Sequence, residues 1–366
     1  MGYAPQAVID HAALRHNLQQ VHRSAPASRI WSVIKADAYG HGIERVARAL
    51  LNTDGFAVAR IDEALNLRQG GFDHPIMIMG GCYTQEALML AARNGFEVTV
   101  HDIQQLSLFD ALSPGSHTLT VWLKVDTGMH RLGFAFDRID QIIDRLRAHP
   151  CVKQLNLMTH LANADDRGDS ATQTQLAHFD SFPLHAFSQC SIANSAGVLG
   201  FRESHRDWVR PGIMLYGVSP FVDSSADDEG LQPVMTLRSR VITVRQCQQG
   251  DRIGYGGSYE CPEAMPVAVV AAGYGDGYPR HAVEGTPVLV EGRRLPLIGR
   301  VSMDMITLDA RDYPSVKVGD EVVLWGRGLP VEEVAKKAGT IGYELLCGVT
   351  SRVSFMDQNV DEDKEI

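Results

Sequence analysis

Lys35 ends a short apolar run, Ile30-Trp31-Ser32-Val33-Ile34, and is followed by Ala36-Asp37-Ala38-Tyr39-Gly40-His41-Gly42. An amine where a strand hands over to a turn can act as a nucleophile. If burial and neighbouring cations depress its pKa from about 10.4, a lysine forms an imine with an aldehyde. After the glycines, Ile43, Val46, Ala47, Leu50 and Leu51 recur at helical spacing, so the segment reads as strand, glycine-rich turn and helix. Further along, Asn194-Ser195-Ala196-Gly197 and Arg210-Pro211-Gly212-Ile213 combine small residues with a hydroxyl and a cation. Such loops let backbone N–H groups and helix N-termini approach an anion, although ordinary tight turns use the same residues.

The elements that position these residues form a regular series. Short apolar strands at 30–34, 56–59, 76–80, 97–100, 119–125, 155–159, 189–193 and 207–210 alternate with helical patterns. That alternation predicts a (β/α)₈ barrel of the TIM type, whose sites lie at the C-terminal strand ends. Lys35, Arg60, His101, Lys124, Asp126, His160, Asn194, Ser195 and Arg210 all fall at those ends. In this barrel the loops after strands seven and eight often bind phosphate, and a reactive lysine beside a phosphate site points to pyridoxal phosphate. From about Asp227 the pattern changes to alternating apolar and polar residues at 237–244, 267–272, 288–297 and 321–325, a mostly β domain. The expected division is therefore α/β, with residues 1–228 forming the barrel and 229–366 the second domain. The acidic, serine-rich stretch 221–230 serves as linker or surface loop, and the acidic tail from Asp357 is expected to fray.

Composition narrows the function classes. The chain has 366 residues, 45% of them apolar, enough for a large core in two domains. With 34 basic and 44 acidic side chains its net charge is −10, which disfavours nucleic acid or an anionic membrane as the main partner. No apolar stretch has membrane-spanning length, and residues 1–14 lack the pattern of a secretory signal, so a cytoplasmic location is expected. Six cysteines occur singly and read as reduced thiols. No HExxH or Cys/His finger spacing supports a metal, and no P-loop, GxGxxG or GxSxG motif is present; residues 193–197 only approach the last.

The stretch 33–42 resembles the cofactor-lysine motif of alanine racemases, the fold-type III pyridoxal-phosphate enzymes. Further segments match in family order: 124–133 (KVDTGMHRLG), 208–213 (WVRPGI), 253–257 (IGYGG), 272–280 (AGYGDGYPR), 299–305 (GRVSMDM) and 350–353 (TSRV). They run over nearly the whole chain. Ser302 stands where other members carry Cys or Ala, and 192–196 is not the commonest sequence around the phosphate serine; neither departure removes a catalytic group.

The resemblance implies that Lys35 carries pyridoxal phosphate and that Tyr39, Ser195, Gly212, Ile213 and Tyr343 hold its phosphate. It places Arg210 against the pyridine nitrogen, where a permanently charged guanidinium discourages protonation and limits side reactions. Inversion at Cα needs a base on each face. By the same resemblance these are Lys35 for the D-enantiomer and Tyr255, from the partner subunit, for the L-enantiomer, with His160 relaying between Tyr255 and Arg210. Arg131 and the Met303 amide would take the alanine carboxylate, Tyr274 and Tyr343 would narrow the entrance, and Asp304 would support the Met303 loop. Lys124 would orient Arg131, as a carbamate in many members. A homodimer with shared sites follows from this scheme. A broad-specificity amino-acid racemase, a related decarboxylase and a non-catalytic pyridoxal-phosphate carrier are the competing readings.

Overall fold

The computed structural model describes residues 3–110, 112 and 117–360. After an N-terminal strand β1 (Gln6–Asp10), eight strands close into a parallel barrel: β2 (Arg29–Val33), β3 (Gly55–Val58), β4 (Ile76–Ile78), β5 (Glu97–Val100), β6 (Leu119–Lys124), β7 (Val152–Met158), β8 (Cys190–Ser191) and β9 (Trp208–Val209). These are the eight expected strands, with a helix between each consecutive pair. Strands covered on both faces read as apolar runs, which is why the series was legible. The last two are shorter than expected because the chain leaves the sheet early to form the site loops. Trp31 stacks on Trp208 at 4.2 Å and meets Trp122 edge-on at 6.4 Å. A Cβ at Gly55 would stand 2.3 Å from the Trp31 ring, so that position requires glycine.

The second domain contains β10 (Met235–Cys247), β11 (Arg252–Ile253), β12 (Tyr259–Glu260), β13 (Met265–Val270), β14 (Pro287–Val290), β15 (Arg293–Ile298), β16 (Ile306–Asp309), β17 (Glu321–Trp325) and β18 (Ser354–Gln358). The order β13-β16-β15-β14-β17-β10 is closed by pairing of β13 with β10, and β11 and β12 form a separate two-stranded sheet. The alternating stretch 288–297 is a hairpin. It reverses at Glu291-Gly292 with φ of 46° and 78°, a two-residue turn whose usual sign is Asn-Gly or Asp-Gly.

The N-terminal strand crosses the division expected at residue 228. β1 pairs antiparallel with β10 and parallel with β18, so it belongs to the second domain's sheet. The Asp10 carboxylate accepts the amides of Ala12 (2.9 Å) and Ala13 (3.2 Å), turning the chain directly into the helix His11–Ser24. Pairing of β18 also holds the tail through residue 358. Asp357 accepts from His11 at 2.8 Å and from Arg45, so the expected fraying does not begin there. The stretch 221–230 is an anchored loop: Phe221 is buried beneath the Arg167 guanidinium, which also binds Glu229 at 2.8 Å.

Candidate active site

The turn after β2 has an unusual hand. Ala36, Asp37, Ala38 and Tyr39 have φ of 53°, 50°, 53° and 53°, a left-handed turn made without glycine. Each such residue costs roughly 1–2 kcal/mol relative to a right-handed conformation, so neighbours must hold the turn. The Ala38 amide donates to the Ile34 carbonyl at 3.0 Å, and the Asp37 carboxylate accepts the Ile43 amide at 2.8 Å at the start of the next helix. The turn leaves Lys35 half-buried at the barrel mouth and buries Tyr39, whose ring stacks on Tyr216 at 4.7 Å and tilts against Tyr343 at 5.9 Å.

An anion cradle lies beside Tyr39. Ser195 opens the helix Ser195–Gly200, whose cap is the Asn194 side chain accepting from Gly197 at 2.9 Å. The Ser195 hydroxyl accepts from the amides of Gly212 (2.8 Å) and Met214 (3.3 Å). A Cβ at Gly212 would stand 2.5 Å from the Tyr39 hydroxyl. Ile213 is buried next to it. Tyr343 arrives on the helix Gly342–Cys347, which sits so tightly against the left-handed turn that a Cβ at Gly40 would be 2.3 Å from the Leu346 carbonyl oxygen. Burial raises the pKa of both Tyr39 and Tyr343, so their hydroxyls stay protonated and can donate to an anion.

Cations dominate the rest of the mouth. Arg210, only 3% exposed, donates to the Ser191 hydroxyl, to the Thr159 carbonyl at 2.5 Å and to the Ile192 carbonyl at 3.0 Å. Burial lowers its pKa to about 10, which leaves it charged near neutrality. Lys124, 8% exposed, is lowered to about 8 by burial and then by Arg210, Arg131 and Lys35. Lys35 is lowered by burial and by Arg131, against an opposing effect of Glu63 and Cys347. Burial, and after it Arg210, Lys124, Arg131 and Lys35, hold His160 well below the usual histidine range, so its imidazole is neutral. The exposed Arg131 rides on the loop after β6. There Asp126 accepts the amides of Gly128, Met129 and His130 at 2.9 to 3.1 Å, and Phe134 donates to the Lys124 carbonyl at 2.9 Å.

The structure thus brings Lys35, Tyr39, Lys124, Arg131, His160, Ser195, Arg210, Gly212, Ile213 and Tyr343 to one mouth. The remaining predicted residues lie elsewhere, exposed on the second domain. Tyr255, 69% exposed, sits between β11 and β12. Tyr274 and Met303 occupy adjoining loops: the Tyr274 amide donates to Ser302 at 3.0 Å and the Gly275 amide to Met303 at 2.8 Å. Arg352 ties those loops together through Asp276 (3.2 Å) and Asp304 (2.7 Å). Among the described residues, no hydrogen bond, ion pair or ring contact joins Tyr255, Tyr274, Met303 or Asp304 to Lys35 or Arg210. Sequence reasoning missed Glu63, His41 and Tyr216. Tyr216 supports the Tyr39 ring and donates to the Val33 carbonyl at 3.0 Å. Glu63 carried a faint signal, since it lies three residues beyond Arg60 at the start of the helix Ile61–Gln69 and reaches back to the Arg60 amide.

A lysine at the end of the first barrel strand, an anion cradle between the loops after the last two, and an antiparallel second domain define a barrel enzyme with an amine at its centre. Residues 9–220 match the model of the alanine racemase N-terminal domain and residues 234–356 that of the alanine racemase C-terminal domain. The chain is 54% identical to the alanine racemase of Nitrosococcus oceani, over 95% of this chain and 98% of that one. It is 47% identical to that of Coxiella burnetii, over 96% and 98%. Among solved structures it resembles the biosynthetic alanine racemase of Pseudomonas aeruginosa (TM-score 0.94, 44% identity, covering 97% and 99%). It also resembles the alanine racemase of Bartonella henselae with covalently bound pyridoxal phosphate (TM-score 0.87, 28% identity, covering 97% and 99%). The chain belongs to the alanine racemase family and is an amino-acid racemase, an isomerase. Among the described residues no helix is long and apolar enough to cross a membrane.

Proposed function

We propose that the protein interconverts L-alanine and D-alanine, with pyridoxal phosphate held at Lys35 and a base on each face of the substrate. The residues present fit that group. Gly212 lets the Tyr39 hydroxyl approach the loop backbone where a Cβ would collide with it, and Ser195 and Tyr343 lie against the same two residues. Pyridoxal phosphate, when bound, supplies an electron-accepting ring that lets the α-proton of an amino acid leave. Lys35 is the amine that binds it and, on one face, the base for the α-proton of D-alanine. Tyr255 of the partner subunit serves L-alanine on the other face, because a single base would return the proton to the side it came from.

The other side chains divide the remaining work. Arg210 would face the ring nitrogen of the bound group and, staying charged, would accept no proton there. His160, kept neutral by burial and then by the Arg210 charge, would link Tyr255 of the partner subunit to Arg210, a relay in which Arg210 stays charged and tunes the imidazole. Arg131 takes the substrate carboxylate together with the backbone amide of Met303 of the partner subunit, and the Tyr343 and Tyr274 rings favour a small substrate. Exposure of Tyr255, Tyr274 and Met303 on the second domain supports a homodimer in which each second domain covers the other barrel. Such an enzyme works in the cytoplasm, supplying D-alanine for peptidoglycan or feeding alanine catabolism; the chemistry serves either direction.

The observation that carries this reading is a lysine with a depressed pKa beside a cradle built from Tyr39, Ser195 and Gly212. The test is to incubate the cofactor-loaded protein with L-alanine in D₂O, following α-deuterium uptake and D-alanine formation, with L-serine and L-lysine in parallel. Exchange with conversion toward an equal mixture for alanine alone is the expected result. Comparable turnover of lysine would indicate a broad-specificity racemase, and absence of exchange a non-catalytic carrier.

A further inference from the structure

We propose that Glu63 and His41 are positioning residues that hold residues 36–39 in their left-handed turn, so aiming Lys35 into the mouth and setting the Tyr39 hydroxyl against Gly212. The proposal rests on the reading that Lys35 and Tyr39 bind pyridoxal phosphate.

The two side chains act at opposite ends of the turn. At its entry, Glu63 accepts the Ala36 amide at 2.6 Å through one carboxylate oxygen. Through the other it accepts the amides of Ala59 (2.8 Å) and Arg60 (3.1 Å), just beyond β3. One carboxylate therefore ties the residue after Lys35 to the end of the neighbouring barrel strand. At the exit, His41 is fully buried and its Nδ1 lies 3.0 Å from both the Ala38 and the Tyr39 carbonyl oxygens. Two carbonyls accept, so Nδ1 carries the proton. The ring packs on Tyr216 at 4.6 Å, on which Tyr39 also stacks, and among the described residues Nε2 is buried without a hydrogen-bond partner. An unpartnered ring nitrogen in apolar surroundings is unfavourable, and the ring's polar contacts are the two to the left-handed turn. Its pKa, lowered to about 4 by burial, keeps the ring in this neutral form. Backbone held in a sparsely populated conformation at a site persists only when its surroundings over-determine it, and these two side chains supply that.

The test compares Glu63→Gln, His41→Leu and His41→Asn with the parent protein. A glutamine offers one accepting oxygen where Glu63 uses two. Asparagine can place its amide near the position of Nδ1, whereas leucine cannot, and both lose the ring. The readouts are pyridoxal-phosphate dissociation constants by absorbance titration, borohydride trapping of the cofactor with the labelled peptide identified, and amide hydrogen exchange of the cofactor-free protein. Weakening of binding by about tenfold in Glu63→Gln and His41→Leu is expected, with His41→Asn within about threefold of the parent. The Ala36 amide should exchange faster in Glu63→Gln while the barrel strands keep their protection. Unchanged binding in Glu63→Gln and His41→Leu, equal losses in His41→Asn and His41→Leu, or uniformly faster exchange would each overturn the proposal. Trapping on a lysine other than Lys35 in the parent protein would instead overturn the cofactor reading, and the Ala36 exchange rate would still decide the clamp.

Discussion

The Ser195 hydroxyl accepts the Gly212 amide at 2.8 Å, and that bond joins the loop after β8 to the loop after β9. The two loops are thus tied directly to each other, with the Tyr39 hydroxyl against the same glycine. Replacing Gly212 by alanine puts a Cβ 2.5 Å from that hydroxyl. Cofactor affinity should fall about tenfold or more, in keeping with the usual 1–3 kcal/mol of overpacking. Absorbance titration measures it, and affinity equal to that of the parent protein would show that the hydroxyl is not part of the cradle.

Tyr255→Phe separates the two faces. Because Tyr255 is exposed on its own chain, the substitution should leave the melting temperature unchanged. Racemisation should fall by roughly 10²–10⁴-fold, the usual contribution of a positioned acid or base. In D₂O, α-exchange from D-alanine should outlast that from L-alanine. Equal loss from both enantiomers would remove the assignment of one base to each.

Lys124 carries a pH prediction. The unfolded chain keeps the lysine proton to its ordinary pKa, whereas the folded chain releases it near 8, so the unfolded state binds more protons between those values. Stability should therefore rise with pH from about 8 upward, and Lys124→Met should flatten that part of the curve. The neutral amine is also the form that reacts with CO₂. Native intact mass should show one added CO₂, lost in Lys124→Ala; a plain amine at every bicarbonate concentration would remove the carbamate from the scheme.

Arg352→Gln tests how the exposed loops are held. Asp276 is buried and faces Arg352 at 3.2 Å, so removing the guanidinium weakens the pairing of a buried carboxylate and should lower the midpoint of urea unfolding. Because the same side chain fixes Asp304 next to Met303, KM for alanine should rise more than kcat falls. A change in kcat alone would detach this clamp from substrate binding.

The barrel was legible because strands buried on both faces leave apolar runs that survive any ambiguity about helix or strand. Lys35 was legible because it ends such a run. β1 was not: Gln6-Ala-Val-Ile-Asp is five residues long, and both its neighbours lie more than two hundred residues away in sequence. The left-handed turn was hidden because Ala, Asp, Ala and Tyr lack the glycine that usually marks positive φ. Glu63 was hidden for another reason. A carboxylate reaching across two strand ends to an amide leaves no periodic trace, whereas the cluster of Tyr39, Ser195, Gly212 and Tyr343 could be assembled in advance through the family resemblance.

The placement of β1 between β10 and β18 also bears on how the chain is made. Residues 6–10 leave the ribosome long before residues 354–358, and these two segments lie side by side along their whole length. The barrel can close once Trp208-Val209 has emerged, but β1 must wait unpaired until β10, and later β18, has been made. Truncation at either end should therefore be felt at the other. A peptide corresponding to β1, added in trans to a chain lacking it, is the natural candidate to fill the gap between β10 and β18.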